Sequence, residues 1–375
     1  MRYDRLLPLR ALLRALCPGV LLFSVLVVGA GCELLGDDDD DVPVVTGVLV
    51  ANQGAYPGPG TVSAYDPATG QTTAQAVVAE ASIVQSLHLA GGRLYVVANN
   101  GDRIDVHDAD TYARVGQITG LVSPRYMIDG PGGKAYVTNQ YGAPGSFTGG
   151  SVSVIDLATN AKLKDVAVGD NPEGLALAGD RLYVTHHAFG AGRTVWVLDT
   201  RTDTVVDTVD VGCDGPRAVF ADRDGDVVVF CTGQTLYDEQ FNEVGETNGA
   251  IRVLDGATGA VVRRIDLDGR IGTVGPGQDA YYAPETGEIF AVLDGRTILR
   301  FDTGRDELSG EIGPFDGDGV GAVAYDAAAG RLYVGRVPGF TERGAVTIHD
   351  RRGVQVGSFT AGIAPTFITF RRDEP

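Results

Sequence analysis

A short apolar strand that ends on an aspartate recurs seven times along the chain, and most copies lead into turn-forming residues. The copies are VSAYD to Asp66, IDVHD to Asp108, VSVID to Asp156, VWVLD to Asp199, IRVLD to Asp255, ILRFD to Asp302 and VTIHD to Asp350. Each copy alternates apolar and polar residues, the pattern of a strand with one buried face. Successive aspartates lie 42 to 56 residues apart, a spacing typical of a repeating four-stranded unit. Seven such units predict a closed ring of small sheets.

Each strand-ending aspartate has a predicted local role, because its carboxylate can accept a hydrogen bond from the backbone N–H two residues further on and so stabilise the turn.

The composition agrees with many short strands joined by turns, with 53 Gly and 21% charged residues. A chain of 375 residues could hold two ordinary domains, but a repeat over nearly its whole length indicates one closed architecture.

The two ends of the repeat region complement each other. PTFITF at 365–370 has the pattern of the first strand of a unit, but no further strands of that unit follow it. GVLVANQ at 47–53 has the pattern of the second strand of a unit, but no first strand precedes it. Pairing of the C-terminal strand with the N-terminal unit would close the ring and remove its open sheet edges.

A second motif recurs in phase with the aspartates. It reads YVTN at 136–139, RLYVVAN at 93–99, RLYVTH at 181–186 and RLYVGR at 331–336, whereas the fifth unit has VVVF at 227–230. The chain thereby resembles, over about residues 47 to 370, the YVTN-repeat family of seven-bladed β-propellers, which includes YncE-like and surface-layer-type proteins. The resemblance implies an all-β fold of seven four-stranded antiparallel blades, predicted here for residues 47–375. It says little about function, since propellers serve in binding, scaffolding and catalysis.

The first 31 residues are predicted to be an export signal, with four arginines, an apolar run at 20–30 and small residues before Cys32. This end resembles the lipobox of bacterial lipoproteins, in which the cysteine thiol is lipidated, and the alternative is an ordinary secretory signal.

Residues 32–46, with five aspartates at 37–41, are predicted to be a solvated tether. Acidic residues at this place resemble the surface-export signal of Bacteroidota lipoproteins. The resemblance implies a lipid-anchored protein at the cell surface, with the periplasmic side of the outer membrane as the alternative.

The formal charge of −19 makes nucleic acid a poor partner, because an acidic surface repels phosphate backbones. The charge agrees with a soluble domain and gives no sign of membrane contact other than through a lipid anchor. We expect a monomer.

The loops between predicted strands differ between the two ends of the ring. Turns on one end, here called the tight-turn face, are short, such as AGG, GPGG and PETG. Loops on the other end, the loop-rich face, are long and rich in aromatic residues. Exposed loop aromatics on a rigid scaffold are typical of a binding surface, although they could instead pack on neighbouring loops and close the mouth of the ring. These residues are Tyr56, Tyr141, Phe147, Phe189, Tyr237, Phe241 and Phe340.

His186 and His187 are adjacent on the loop-rich face and are candidates for contacting a ligand or a metal. No Cys, Asp or Glu stands at a fixed spacing to complete a metal site, so a hydrogen-bonding loop pair is the alternative. No catalytic residues are predicted, since none of the familiar catalytic motifs is present. Propeller enzymes such as lactonases and quinoproteins collect residues from different blades, which sequence spacing would not reveal.

Alignment of the predicted first strands places six polar residues at comparable positions near the mouth of a central channel. Arginine and carboxylate side chains around one channel mouth could bind a polar ligand. Alternatively, they could pair with each other and so neutralise their buried charges. The six residues are Gln85, Arg125, Glu173, Arg217, Asp279 and Thr366.

Two further features are ambiguous in the sequence. The aspartate clusters at 222–226 and 316–319 resemble calcium loops in composition but lack the full loop, and turn formation is the alternative. Cys213 and Cys231 flank one predicted hairpin and could form a disulfide in an exported protein.

These features together predict a non-enzymatic envelope lipoprotein that binds a ligand on its loop-rich face without a cofactor. The resemblance to Bacteroidota surface lipoproteins implies a TonB-dependent transporter as partner and a cobalamin-like nutrient as ligand. The main alternative is an envelope scaffold for protein–protein interaction, and a lactonase-type enzyme is the third possibility.

Overall fold

The computed structural model describes residues 42–373, which form seven four-stranded antiparallel sheets arranged as blades around a central channel. The predicted seven-bladed β-propeller is therefore confirmed. The predicted export signal, Cys32 and the aspartates at 37–41 lie outside the described residues. No helix within residues 42–373 is long and apolar enough to cross a membrane.

We number the blades 1 to 7 around the ring and give the strands of each blade from the channel outward. Blade 1 has β30 (Pro365–Arg372), β1 (Val45–Asn52), β2 (Gly60–Tyr65) and β3 (Thr72–Ala79); blade 2 has β4 (Val84–Ala90), β5 (Arg93–Ala98), β6 (Arg103–Asp108) and β7 (Arg114–Ile118); blade 3 has β8 (Pro124–Asp129), β9 (Lys134–Asn139), β10 (Gly150–Asp156) and β11 (Ala161–Val168). Blade 4 has β12 (Pro172–Ala178), β13 (Arg181–His186), β14 (Thr194–Asp199) and β15 (Thr204–Asp210); blade 5 has β16 (Pro216–Ala221), β17 (Val227–Cys231), β20 (Ala250–Leu254) and β21 (Val261–Asp266). Blade 6 has β22 (Ala280–Ala283), β23 (Glu288–Leu293), β24 (Thr297–Asp302) and β25 (Glu307–Ile312); blade 7 has β26 (Gly319–Asp326), β27 (Arg331–Val337), β28 (Arg343–His349) and β29 (Gln355–Ile363). Short 3₁₀ turns lie at Asn99–Gly101, Pro131–Gly133 and Ala188–Gly190.

The second strand of each blade is apolar on both faces because neighbouring blades cover both. All five residues of β17 are buried, and β5 and β9 are buried except at their first residues. The outermost strands instead alternate exposed and half-buried residues, as in β11. The core is thus a series of apolar layers between adjacent blades.

The predicted ring closure is confirmed. β30 is the innermost strand of blade 1 and pairs antiparallel with β1, with Ile368 opposite Val50 and Phe370 opposite Val48. All four of these side chains are buried. The N-terminal and C-terminal strands therefore hold each other in one sheet, and the ring leaves no blade incomplete.

All seven strand-ending aspartates make the predicted turn contact, in which the carboxylate Oδ1 accepts the backbone N–H two residues on. The N···O distances run from 2.8 Å at Asp66, Asp156 and Asp199 to 3.3 Å at Asp108. Each turn therefore joins the third strand of a blade to the fourth.

The recurring Tyr and Asn of the second motif have structural roles. Tyr95, Tyr136, Tyr183 and Tyr333 are all buried between blades, and the Tyr136 hydroxyl donates to Asp203 Oδ1 of the next blade at 2.6 Å. Asn139 donates to the hydroxyls of Ser151 and Ser153 in the third strand. The motif therefore ties strands and blades together.

The long connection at residues 231–249, on the loop-rich face, contains regular secondary structure. It contains a two-stranded hairpin of β18 (Thr235–Tyr237) and β19 (Glu243–Glu246), inserted between the second and third strands of blade 5. A disulfide joins Cys213 and Cys231 at the base of this insertion, with the sulfur atoms 2.09 Å apart. The hairpin stands on the loop-rich face.

Candidate functional site

A ring of polar side chains surrounds the channel at its loop-rich end, and β-bulges in the innermost strands place it there. Six of the seven innermost strands carry an irregularity at the same point, near their first residues. A bulge leaves one residue unpaired and re-aims its side chain. The bulges include Thr366, Gln85, Arg125, Glu173, Arg217 and Gly321, and Asp279 immediately precedes the innermost strand of blade 6.

The charged members of this ring pair with one another. Arg125 binds both carboxylate oxygens of Glu173, with Nε–Oε2 at 3.1 Å and Nη2–Oε1 at 2.9 Å, and Nη1 donates to Gln85 Oε1 at 2.6 Å. Arg217 Nη1 lies 2.8 Å from Asp279 Oδ2. Arg125, Glu173 and Asp279 are at most 5% exposed. The buried charges of the mouth are thus neutralised within the protein, as one of the two sequence interpretations predicts.

The segment of residues 273–278, TVGPGQ, crosses the mouth above this ring and is here called the strap. Its carbonyl oxygens accept hydrogen bonds from the ring, at Pro276 from Gln85 Nε2 (3.2 Å) and at Gly277 from Arg217 Nη2 (3.3 Å). Gln278 N donates to Thr366 O at 2.8 Å, which ties the strap to blade 1. The strap therefore closes the channel at the loop-rich face.

Glycine is required where the strap passes blade 7. A Cβ built on Gly277 would lie 2.1 Å from the carbonyl oxygen of Gly321, whereas a Cβ on Gly272 would meet nothing within 4 Å. We expect Gly277→Ala to lower the free energy of unfolding by about 1–3 kcal/mol through overpacking. Urea denaturation followed by circular dichroism measures this effect. Gly272→Ala is the matched control in the same loop, and an equal effect of the two substitutions would show that the strap is not held against Gly321.

His187 is connected to the ring through Asn171. Its Nδ1 lies 3.4 Å from Asn171 Oδ1, and Asn171 Nδ2 donates to Glu173 Oε1 at 3.2 Å. Burial, reinforced by the positive charge of Arg217, lowers the pKa of His187 to about 3. His187 is therefore neutral at physiological pH.

His186 has different surroundings from His187. Its Nδ1 lies 3.0 Å from Thr194 Oγ1, and its ring packs edge-on against Trp196 with centroids 6.5 Å apart. Burial lowers the pKa of His186 as well. Within residues 42–373 there is no group of three His, Cys, Asp or Glu side chains placed to hold a metal ion.

Most of the predicted aromatic residues of the loop-rich face are strongly exposed. The exposed fractions are 78% for Tyr56, 77% for Phe147, 61% for Phe189, 60% for Tyr237, 86% for Phe241 and 39% for Phe340. Exposed aromatic side chains at this density are uncommon unless they contact a partner.

Three of the aromatic residues make contacts within the face itself. Tyr141 is half-buried and forms an edge-to-face pair with Phe147, with ring centroids 5.6 Å apart. The Phe340 ring lies against Gly275 of the strap, since a Cβ there would meet the ring at 2.5 Å. The face therefore combines aromatic residues that support the closed mouth with others that project freely.

The two aspartate clusters serve different parts of the structure. Asp222 Oδ1 accepts the backbone N–H groups of residues 224 and 226 and so forms a tight turn. Residues 316–318 lie in the connection between β25 and β26, and Gly319 is the first residue of β26.

Three features of the site escaped sequence reasoning. They are the strap, the hairpin of β18 and β19, and Asn171, which links His187 to Glu173. A signal for the strap is present, because the glycine-rich connection before the first strand of blade 6 is longer than its counterparts. A signal for the hairpin is the pair Tyr237–Asp238, which repeats the strand-ending pattern of Tyr65–Asp66.

The fold and the site define a seven-bladed β-propeller whose channel is sealed at the loop-rich end and surrounded there by exposed aromatic residues. No protein-family model matches the chain, and no curated protein matches it.

Solved structures share the fold at low sequence identity. The periplasmic gluconolactonase PpgL of Pseudomonas aeruginosa has a TM-score of 0.63 and 16% identity, with 87% of this chain and 99% of that chain covered. A quinoprotein alcohol dehydrogenase-like protein of Bacteroides thetaiotaomicron has a TM-score of 0.63 and 13% identity, with 87% and 78% covered. Hydrazine synthase of Kuenenia stuttgartiensis has a TM-score of 0.59 and 20% identity, with 76% and 88% covered. At these identities the likeness shows the propeller fold alone.

Proposed function

We propose that this protein is a non-enzymatic component of the cell envelope whose loop-rich face binds a protein partner. Of the functions predicted from the sequence, this one agrees best with a mouth that is closed. Arg125 and Glu173 are paired and buried, and the strap is hydrogen-bonded to the ring members Gln85 and Arg217, so a nutrient arriving at the loop-rich face would first have to displace the strap. The projecting aromatic residues need no such rearrangement.

The observation that carries the proposal is the backbone conformation of Phe241 at the tip of the hairpin. Three turns share one geometry, in which Asp Oδ1 accepts the N–H groups two and four residues on, at Asp222, Asp238 and Asp350. The fourth residue of each turn is left-handed, with φ of 91° at Gly225, 84° at Gly353 and 61° at Phe241. The left-handed region disfavours a bulky residue by about 1–2 kcal/mol. Phe241 therefore lowers the stability of the turn relative to a glycine at the same position. Phe241 is also 86% exposed.

Phe189 shows the same combination on the neighbouring blade. Its φ is 56° and its side chain is 61% exposed, while its backbone N–H donates to Asn171 Oδ1 at 3.2 Å. Strained residues that the surrounding structure holds in place tend to cluster at binding sites. Two phenylalanines held outward at a conformational cost support a contact surface.

The charge of the hairpin indicates the chemistry of the partner. Residues 235–246 contain four acidic residues, Asp238, Glu239, Glu243 and Glu246, and no Lys or Arg. An acidic projection tipped with aromatic side chains is complementary to a basic surface that has apolar pockets.

The cellular setting of the proposal rests on the N-terminal sequence. Lipidation at Cys32 would anchor the protein to the outer membrane or cell surface, and membership in the YVTN-repeat family is supported by the in-phase LYV strands and their buried tyrosines. A TonB-dependent transporter is one envelope partner that fits this setting.

Site-specific photocrosslinking of the full-length protein in its own cells tests the proposal. A photoreactive amino acid in place of Phe147 is expected to give one discrete protein adduct, and its yield is expected to fall when Phe241→Gly is added. Phe241→Gly should leave the melting temperature equal or raise it, because glycine relieves the left-handed strain.

The controls are photoreactive substitutions at Val115 and Val206, which are 49% and 51% exposed on outer strands. No adduct from Phe147, or the same adduct from the control positions, would contradict a partner on the loop-rich face.

A further inference from the structure

The outermost strand of every blade has one edge that pairs with no other strand within residues 42–373, and an irregular backbone interrupts this edge. In each blade the pairing of the third strand with the fourth shifts register, because the fourth strand contains extra residues. In blade 3, for example, Val154 lies opposite Lys164, whereas the next residue, Ile155, lies opposite Lys162. Bulges of this kind protect an exposed edge from pairing with a further strand.

The hairpin of β18 and β19 lacks this protection on one side. Within the described part of the chain it forms a sheet of its own, in which the two strands pair only with each other. Its register shifts between Leu236 and Tyr237, and the extra residue belongs to β19. β18 is therefore regular along its free edge. It also contains neither Lys nor Pro, the residues that commonly blunt such edges.

Hydrogen bonds at the base and the tip of the hairpin extend its ladder beyond the three residues of β18. At the base Thr247 N donates to Gln234 O at 2.8 Å, and at the tip Asp238 N donates to Asn242 O at 2.9 Å. The ladder thus covers residues 234–238 on this side, and both of its ends are fixed.

Two residues of β18 turn their backbone groups to the free edge. In an antiparallel pair the groups that bond to the partner strand belong to every second residue. Since Gln234 and Asp238 bond toward β19, Thr235 and Tyr237 direct their N–H and C=O groups away from it. Tyr237 is 60% exposed. The edge therefore presents two donors and two acceptors in an ordered row.

The side chains of the hairpin indicate which sequence would suit a strand on this edge. Cross-strand partners share a face, so Tyr237 and Glu243 lie on one face and Leu236 on the other. A basic side chain on the first face would meet the Tyr237 ring and the Glu243 carboxylate. The next residue of the added strand would cover Leu236, which is 38% exposed. Alternating basic and apolar residues are complementary to this edge.

We propose that the partner of the loop-rich face contributes an extended segment of alternating basic and apolar residues, which pairs with β18 as a third strand. This inference rests on the protein-binding function proposed above and specifies how the partner is held. Main-chain hydrogen bonds supply affinity in such strand addition, and alternate side chains supply specificity. A second copy of this chain is a poorer occupant, because residues 235–246 contain four acidic residues and no Lys or Arg.

A fluorescent octapeptide of alternating valine and lysine is the probe, and its binding to the full-length protein is measured by fluorescence anisotropy. Tyr237→Pro removes the outward N–H and leaves the ladder to β19 intact, whereas the matched control Tyr237→Ala removes only the side chain. Tyr237→Pro is expected to bind the octapeptide about tenfold more weakly than Tyr237→Ala, the effect of one hydrogen bond. An octapeptide of alternating valine and glutamate should bind neither variant. Circular dichroism melting verifies that both variants are folded.

Hydrogen exchange followed by mass spectrometry gives a second readout, since pairing with the octapeptide is expected to slow exchange of the amides in residues 235–237. The proposal is overturned if the valine–lysine octapeptide does not bind at millimolar concentration, if the two variants bind it equally, or if exchange in residues 235–237 does not change. Concentration-dependent dimerisation that Tyr237→Pro abolishes would instead assign the edge to a second copy of the chain.

The same variants separate this inference from the proposed function. If Phe147 gives its adduct in cells and Tyr237→Pro and Tyr237→Ala lower the yield equally, the loop-rich face binds a protein but strand addition is wrong. If the octapeptide binds as expected and no adduct forms, the edge pairs with a strand but the proposed function is wrong.

Discussion

A chain that ends at Ala364 is expected not to reach a cooperatively folded state. Removal of β30 deletes the innermost strand of blade 1 and exposes the edge of β1, with Val48 and Val50 losing Phe370 and Ile368 as cross-strand neighbours. An apolar unpaired edge promotes aggregation, and an open ring loses the packing between blades 7 and 1. The expected result is a protein that elutes as soluble aggregate in size-exclusion chromatography and melts without a sigmoidal transition.

A chain that ends at Asp373 is the control for this truncation, because it keeps all of β30 and should melt as the full chain does. A monomeric protein with a sharp transition after truncation at Ala364 would show that six blades and part of a seventh suffice.

Replacement of Arg125 by methionine is expected to destabilise the protein by about 3–5 kcal/mol, since it leaves the Glu173 carboxylate buried without its cation. Both residues are at most 5% exposed, so water cannot replace the lost partner. The double variant Arg125→Met/Glu173→Leu removes both charges and should regain most of the loss. Urea denaturation of the single and double variants measures the coupling.

The exposed pair Arg201–Asp199 provides a matched control, because solvent screens it and Arg201→Met should have a much smaller effect. If Arg125→Met and Arg201→Met lowered the free energy of unfolding by the same amount, the ring would not be the buried electrostatic unit described above.

The stability contributed by the buried pair Arg125–Glu173 has a predictable pH dependence. Burial raises the pKa of Glu173, but Arg125 and Arg217 outweigh burial and hold that pKa below its usual value. A carboxyl with a depressed folded-state pKa contributes stability above its unfolded pKa of about 4.3 and loses that contribution as the pH falls through the folded-state pKa. The wild type should therefore lose stability more steeply below about pH 4 than the double variant.

The sequence predicted the fold well because its determinants are local and repeated. Asp66 and its six counterparts mark the same strand end in every blade, and PTFITF at 365–370 indicates where the ring closes. The ring of Arg125, Glu173 and Arg217 could also be aligned, since a proline directly precedes each of these residues.

What escaped prediction depends on distance in space rather than on local pattern. The sequence left open whether the ring residues pair with each other, and it did not indicate that Arg125 contacts Glu173 of the next blade or that the strap reaches Gln85 across 191 residues of sequence. Loops of this kind have no periodicity, so nothing in TVGPGQ indicates which blades it will touch. The hairpin at 235–246 was missed because its strands have only three and four residues.

The pairing of β1 with β30 also decides which way the molecule faces. Val45, where the chain enters the propeller, lies opposite Arg372 at the tight-turn end of blade 1. The proposed lipid anchor at Cys32 would therefore join the propeller from its tight-turn side, and the nine residues between that cysteine and the described domain allow a separation of at most about 36 Å. The exposed aromatic residues lie at the other end of the propeller from this point of entry. One antiparallel strand pair thus places the entry and the exit of the described chain side by side, at the end of the propeller opposite the proposed contact surface.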